Sequence, residues 1–109
     1  MTTARTLARV DDAHFAAEVL ESDRPVLVDF TAAWCGPCRL MDPVLETFAR
    51  ERDDVRVVQV DVDADPETAA RYGVLSMPTF VLFRDGAEAL RLVGARPLRR
   101  LESELDAAL

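Results

Sequence analysis

The chain holds two cysteines, Cys35 and Cys38, two residues apart in the stretch TAAWCGPCRLMDP at 31–43. Residues three apart on a helical turn have Cα atoms about 5–6 Å apart, inside the disulfide window of roughly 4.4–6.8 Å. The two sulfurs can therefore bond with little backbone movement. The pair follows an apolar, β-rich run, VLVDFTA at 26–32, and opens a segment whose apolar residues Met41, Val44, Leu45 and Phe48 keep helical spacing. A helix start leaves amide N–H groups unpaired and carries positive partial charge. A thiolate on Cys35 is stabilised there and its pKa falls; the thiolate is the nucleophile, so the position activates it. Pro37 fits because the first turn needs no N–H. Gly36 leaves the sulfur open to approach.

Three other uses of the pair compete with redox chemistry. As a structural staple, a loop of four residues gains only about 2 kcal/mol, against 3–5 kcal/mol for long loops, and a reducing compartment would not keep it. A structural zinc site wants four ligands, and the remaining soft candidate is His14, beside Phe15 in another segment; no metal is expected. Two inert core thiols are the third alternative, at odds with this spacing at a strand-to-helix junction. A Cys-x-x-Cys beside a βαβ pattern favours redox exchange.

The elements that must position the pair can be read from periodicity. VLVDFTA (26–32), VRVVQVDV (55–62) and TFVLFRDG (79–86) are apolar on both faces, as strands covered on both sides are. EALRLVG (88–94) follows the Asp-Gly turn closely and reads as a hairpin partner. A short first strand is expected around Thr6–Val10. DDAHFAAEVLES (11–22) opens with two N-cap candidates and places Phe15, Val19 and Leu20 on one helical face. DPETAARYG (65–73) has an Asp cap, a Pro at the first helical position and a Gly stop. PLRRLESELDAAL (97–109) repeats leucine at 98, 101, 105 and 109. The order β-α-β-α-β-α-β-β-α predicts a largely parallel sheet between helices, with an antiparallel hairpin at one side.

The chain has 109 residues, half of them hydrophobic and 30% charged, which fits one globular domain over 1–109 and excludes disorder. Twenty acidic residues against thirteen basic ones, all arginine, give a net charge of −7. Such a surface repels phosphate backbones and anionic lipid, so neither nucleic acid nor membrane is an expected partner. No apolar run nears the roughly 20 residues of a membrane helix. The first twelve residues show no apolar stretch of signal-peptide length, so a reducing cytoplasm is the expected location.

VLVDFTAAWCGPCRLMDP resembles the active-site segment of the thioredoxin family, and the resemblance continues through YGVLSMPTFVLFRDG and VGA, over roughly residues 6–109. It implies an α/β thioredoxin fold: a central mixed sheet of about five strands flanked by four helices. It implies a monomeric protein-disulfide reductase without cofactor, acting on disulfide-containing proteins and recycled by thioredoxin reductase. By position, Cys35 is the attacking thiolate, Cys38 the resolving thiol and Asp29 the buried carboxylate that takes the proton from Cys38. Pro78 is a cis proline facing the disulfide, and Met77 offers backbone hydrogen bonds to an extended substrate. Trp34, Gly36, Pro37, Met77, Gly94 and Ala95 form a flat apolar docking surface. Two residues depart from the usual bacterial pattern: Thr31 where many members have Trp, and Gln59 where many have Lys.

Independent physics bears on some of these roles. An acid within VLVDF is costly to bury ionised, so its pKa rises, as a general base requires; a solvated strand end is the alternative. For Pro78 the alternative is a trans proline that starts a strand. For Trp34 it is ordinary core. Pro43 removes a helix bond to Arg39, a structural effect. Two alternative activities remain at this point: a thiol oxidase or isomerase on the same fold, and a binding subunit that uses the apolar patch while its thiols are incidental.

Overall fold

The computed structural model describes residues 7–109. Thr6, where the first strand is expected to begin, lies outside the described residues. The strands are β1 (Ala8–Arg9), β2 (Val26–Thr31), β3 (Arg56–Asp61), β4 (Thr79–Arg84) and β5 (Ala87–Val93). The helices are α1 (Gly36–Glu51), α2 (Pro66–Arg71) and α3 (Leu98–Asp106), preceded by a helical stretch at 12–20.

The sheet order is β1-β3-β2-β4-β5. β1, β3 and β2 run parallel, whereas β4 is antiparallel to both β2 and β5. The sheet is thus mixed, and less parallel than alternation alone predicts. The cause is the shortness of α2. Its six residues span about 9 Å at 1.5 Å each, while a six-residue strand is about 20 Å long. Such a helix does not return the chain to the start of β3, so β4 enters beside the end where β3 finished. Thr79 accordingly pairs with Phe30, near the end of β2. That reversal brings Met77 and Pro78 to the cysteines.

Every residue of β2 is buried, because both faces of the sheet are covered. Val26, Val28 and Phe30 join Val58, Val60, Val81 and Phe83 in one core, under Phe15 and Val19. Leu27, Phe80 and Leu82 join the other core, against Met41, Leu45 and Phe48 of α1 and Leu101 and Leu105 of α3. Each fully buried Leu or Phe contributes roughly 1.5–3 kcal/mol. Along β2 the alternate residues face opposite sides, so Asp29 shares the α1 side with Leu27. Between β4 and β5, Asp85 (φ 52°) and Gly86 (φ 79°) both take positive φ, as a two-residue hairpin turn requires.

The stretch 11–22 departs from a regular α-helix. It forms a 3-10 turn (Asp12–His14) and then a π turn (Ala16–Leu20), closed by the Glu21 amide donating to the Ala16 carbonyl at 3.0 Å. Asp11 caps the first turn, accepting from the His14 amide at 2.9 Å. Asp12 is drawn elsewhere: Oδ1 accepts from the Thr68 amide (2.9 Å) and hydroxyl (2.6 Å), and Oδ2 from the Glu67 amide (3.2 Å). Asp12 therefore caps α2. Asp65, the expected cap of α2, instead accepts from the Asp12 amide at 3.0 Å. This reciprocal lock ties residue 12 to α2 and accounts for the tight turn. Phe15 and Val19 still reach the core, while Leu20 is half-buried.

Candidate active site

Helix α1 starts one residue after Cys35, which occupies the N-cap position in an extended conformation (φ −89°, ψ 109°). Its Sγ accepts from the Cys38 amide at 3.2 Å, the role an Asp or Ser oxygen plays at ordinary helix starts. Pro37 lies in the first turn, where no N–H is missed. Cys35 and Cys38 form a disulfide with Cα atoms 5.3 Å apart. Sequence spacing alone gave this distance, and the helix start supplies it. Cys38 is the more deeply buried of the two thiol positions, although Cys35 also shows little surface in the disulfide form. Above them the surface is open: a Cβ added at Gly36 would meet nothing within 4 Å.

The segment before β4 closes the other side. The Met77–Pro78 peptide bond is cis, which sequence could not decide. The Met77 carbonyl oxygen lies 3.5 Å from Cys35 Sγ, and the Met77 side chain packs on Ala32 and the two cysteines. Thr79 Oγ1 donates to the Ser76 carbonyl at 2.6 Å, and the Gly94 amide donates to the Pro78 carbonyl at 2.9 Å. Gly94 takes φ 97°, where a side chain would be strained, and an added Cβ would again meet open space.

Trp34 is no core residue. It is 67% exposed, with Nε1 donating to Asp63 Oδ2 at 2.9 Å, so the ring is tethered by its polar edge while its faces remain wet. Gly36, Pro37 and Ala95 are exposed and Met77 is half-buried, whereas Pro78 is buried. Leu75 (93% exposed) and Val93 (57%) flank the same segments and add large apolar surface that the sequence did not mark out.

Asp29 lies beneath this surface, in register with Gln59 on β3 and Phe80 on β4. It is fully buried, which excludes a solvated strand end. Gln59 Nε2 donates to Asp29 Oδ2 at 2.9 Å; Asp29 Oδ1 has no hydrogen-bond partner. Burial pushes the carboxyl up to about 7; the Gln59 hydrogen bond and the charge of Arg9 pull it down, and Asp42 pushes it further up. A cleft of about 210 Å³, lined by Arg9, Thr31, Cys38, Asp42 and Gln59 among others, reaches this region from solvent. Thr31 is buried along one wall.

Two residues of the site escaped sequence reasoning. Arg96 is buried, its guanidinium donating to the carbonyls of Val93 (2.7 Å) and Gly94 (3.2 Å) and pairing with Glu104 at 2.7 Å. It holds the Gly94–Ala95 corner in place. Asp42 accepts from the other side of the Gln59 amide at 3.0 Å. A lone Arg in a loop and a lone Asp before Pro43 carry no sequence signal, since each reads as solvated surface. His14 is exposed and paired with Asp11 at 2.6 Å, away from the cysteines. Among the described residues no cluster of three or more His, Cys, Asp or Glu could hold a metal ion, and no helix is long and apolar enough to cross a membrane.

A cysteine pair bonded at a helix start, beneath an open surface and lining a cleft with Gln59, the hydrogen-bond partner of a buried acid, is equipped for dithiol–disulfide exchange. The thioredoxin family model matches residues 6–107. The thioredoxin of Mycobacterium tuberculosis is 52% identical over 99 residues, covering 90% of this chain and 85% of that protein. The thioredoxin of Mycolicibacterium smegmatis is 50% identical over 107 residues, covering 95% of each. A bifunctional thioredoxin reductase/thioredoxin of Mycobacterium leprae is 51% identical over 98 residues, covering 89% of this chain and 21% of that protein. With its Trp-Cys-Gly-Pro-Cys centre on a mixed five-stranded sheet, the chain belongs to the thioredoxin family of protein-disulfide oxidoreductases.

Proposed function

We propose that the protein is a general reductant of protein disulfides, regenerated by a thioredoxin reductase and working as a monomer in a reducing cytoplasm. The observation that carries the chemistry is the Cys35 N-cap: its sulfur already accepts the Cys38 amide, so a thiolate formed there has a donor waiting. Cys35 thiolate attacks one sulfur of the substrate disulfide, which breaks the substrate S–S bond and releases its first thiolate. A mixed disulfide now joins Cys35 to the substrate. Asp29 takes the proton from Cys38, whose thiolate attacks Cys35 Sγ, breaks its bond to the substrate and releases the second substrate sulfur as a thiolate, which takes a proton from solvent. Two electrons have passed to the substrate, and the Cys35–Cys38 disulfide is formed. The extended substrate lies across Trp34, Gly36, Pro37, Met77, Pro78, Gly94 and Ala95. The fusion of a reductase to a similar domain in the M. leprae protein supports a reductase as the electron donor.

The test supplies NADPH and a thioredoxin reductase and follows reduction of a protein disulfide. The expected result is turnover that Cys35→Ser abolishes. Absence of turnover, with a reduction potential near the roughly −120 mV of strong dithiol oxidants instead of the known reference value for thioredoxins of about −270 mV, would establish an oxidase. Partner binding that survives the double Cys-to-Ser exchange would point to the binding subunit.

A further inference from the structure

The resolving step needs a base whose proton affinity suits it, and the structure surrounds Asp29 with more than a hydrogen bond. Gln59 Nε2 has two protons. One goes to Asp29 Oδ2 at 2.9 Å and the other to Asp42 Oδ1 at 3.0 Å. The amide is held between two carboxylates, one fully buried and one half-buried at the cleft. Asp42 lies four residues after Cys38 on α1, so both stand on the helix face that meets the sheet, and both line the cleft. We propose that Asp42 is a positioning residue for the resolving half of the exchange: it fixes the Gln59 amide with its donor edge toward Asp29, and its charge sets the pH at which Cys38 gives up its proton.

The amide carries the positioning. With Asp42 in place both Nε2 protons have acceptors, and the opposite orientation would turn the amide oxygen toward two carboxylates. The charge acts in the other direction. The two bonds set an upper limit of about 6 Å between the carboxylate oxygens that share Nε2. A unit charge at that distance raises the proton affinity of its neighbour by about half a unit in a water-like medium and about two units at an effective dielectric constant of 20. The other charged groups in the neighbourhood are Arg9 on β1, paired with Asp61 of β3 at 3.3 Å, and Arg39 on α1, which donates to the Ala33 carbonyl. From β4 the neighbour in register is the apolar Phe80. Asp42 is the acid that shares a donor with Asp29, and its charge opposes the downward pull of Arg9.

This inference rests on Asp29 as the base of the release step, and the experiment separates the two. The probe is 5,5′-dithiobis(2-nitrobenzoate), an aromatic disulfide. Reduced protein releases one coloured thiolate when Cys35 attacks and a second when Cys38 resolves. Both phases are followed by stopped flow across pH 5–9 for wild type, Asp42→Asn, Asp42→Glu and Asp29→Asn. Carboxyl-carbon NMR titrates Asp29 in the same proteins. Asn keeps the acceptor oxygen at 42 and removes only the charge, so the fold is retained.

In Asp42→Asn the Asp29 titration is expected to fall by between about half a unit and about two units, and the midpoint of the second phase by the same amount, with the first phase unmoved. Asp42→Glu restores both. A second phase that titrates in Asp42→Asn as in wild type overturns the proposal. If Asp29→Asn then removes that pH dependence, the base assignment stands and only Asp42 is withdrawn. If Asp29→Asn also leaves the second phase unchanged, both are withdrawn.

Discussion

Replacing Asp29 with Asn tests the burial of this carboxyl through folding stability. The group is fully buried and titrates at about 7, against 3.8 for an accessible aspartate. An acid whose folded pKa lies above its unfolded one is destabilising when ionised. The cost is absent below the unfolded value, grows between pH 3.8 and about 7, and levels off above. Three units at about 1.36 kcal/mol each give a plateau of roughly 4 kcal/mol. That is a large part of the 5–15 kcal/mol that holds a domain folded. The oxidised wild-type protein should therefore lose about 4 kcal/mol through this group between pH 3.5 and pH 8, and Asp29→Asn should not.

The absolute stability of the variant is a poorer guide than its pH dependence. Asn keeps an oxygen for the Gln59 donor but places an NH₂ where Oδ1 now has no partner, at about 1–3 kcal/mol, independent of pH. At low pH the variant is therefore expected to be the less stable protein, and at pH 8 the more stable one. Urea unfolding of the oxidised proteins at intervals from pH 3.5 to 9 provides the curve. A constant difference between the two proteins across that range, or an Asp29 carboxyl-carbon titration near 3.8, would refute the reasoning and remove Asp29 as a base suited to neutral pH.

Gln59→Lys places a cation in direct register with Asp29, so the carboxyl should titrate lower by a unit or more and stability at pH 8 should rise; the same NMR and urea series measure both. Cys38→Ser should accumulate a covalent mixed disulfide through Cys35, and mass spectrometry of alkylated, reduced wild type should find Cys35 modified first; preferential labelling of Cys38 would reverse the roles. Trp34→Ala removes an exposed ring, so stability should change by no more than about 0.5 kcal/mol plus the loss of the surface bond to Asp63, while KM for a protein disulfide rises several-fold and reduction of a small aromatic disulfide is little affected. An equal loss on both substrates would assign Trp34 to the chemistry and not to docking.

Much of the scaffold is local in origin and therefore readable. The strands announce themselves as short β-branched runs, the hairpin by Asp85-Gly86, and α1 by apolar spacing after Pro37. The cysteine pair could be placed at a helix start because both its spacing and its flanks are local. What could not be read depends on residues distant in sequence. Asp12 caps a helix more than fifty residues away, so a cap signal beside Asp11 was spent elsewhere and the expected α-helix gave way to a tight 3-10 turn followed by a wider π turn. Likewise the reversal of β4 depends on how far α2 fails to carry the chain, a matter of length and not of residue type. The cis state of Pro78 and the tether of Trp34 to Asp63, 29 residues away, are likewise not visible in a linear string.

The same distinction explains why the thiols and the buried acid belong to one device. Helix α1 is seated by Met41, Leu45 and Phe48, which sink into the core above Leu27, Phe80 and Leu82. A helix so fixed has no freedom to choose what its other inward positions meet. Cys38 sits one turn before Asp42, and Asp42 nearly one turn before Leu45, along that inward side. The apolar contacts that fold the domain thereby set Asp42 against Gln59, and the β2–β3 register sets Gln59 against Asp29. Shifting the helix by one residue would rotate it by about 100° and break all of these at once. Core substitutions in α1 should therefore disturb the redox site as well as stability. Leu45→Ala should lower stability by about 2–5 kcal/mol and, in the population that remains folded, shift the Asp29 titration. Carboxyl-carbon NMR at low temperature checks this. An Asp29 titration unchanged in a protein that has lost that much stability would show that the acid is held by the sheet alone.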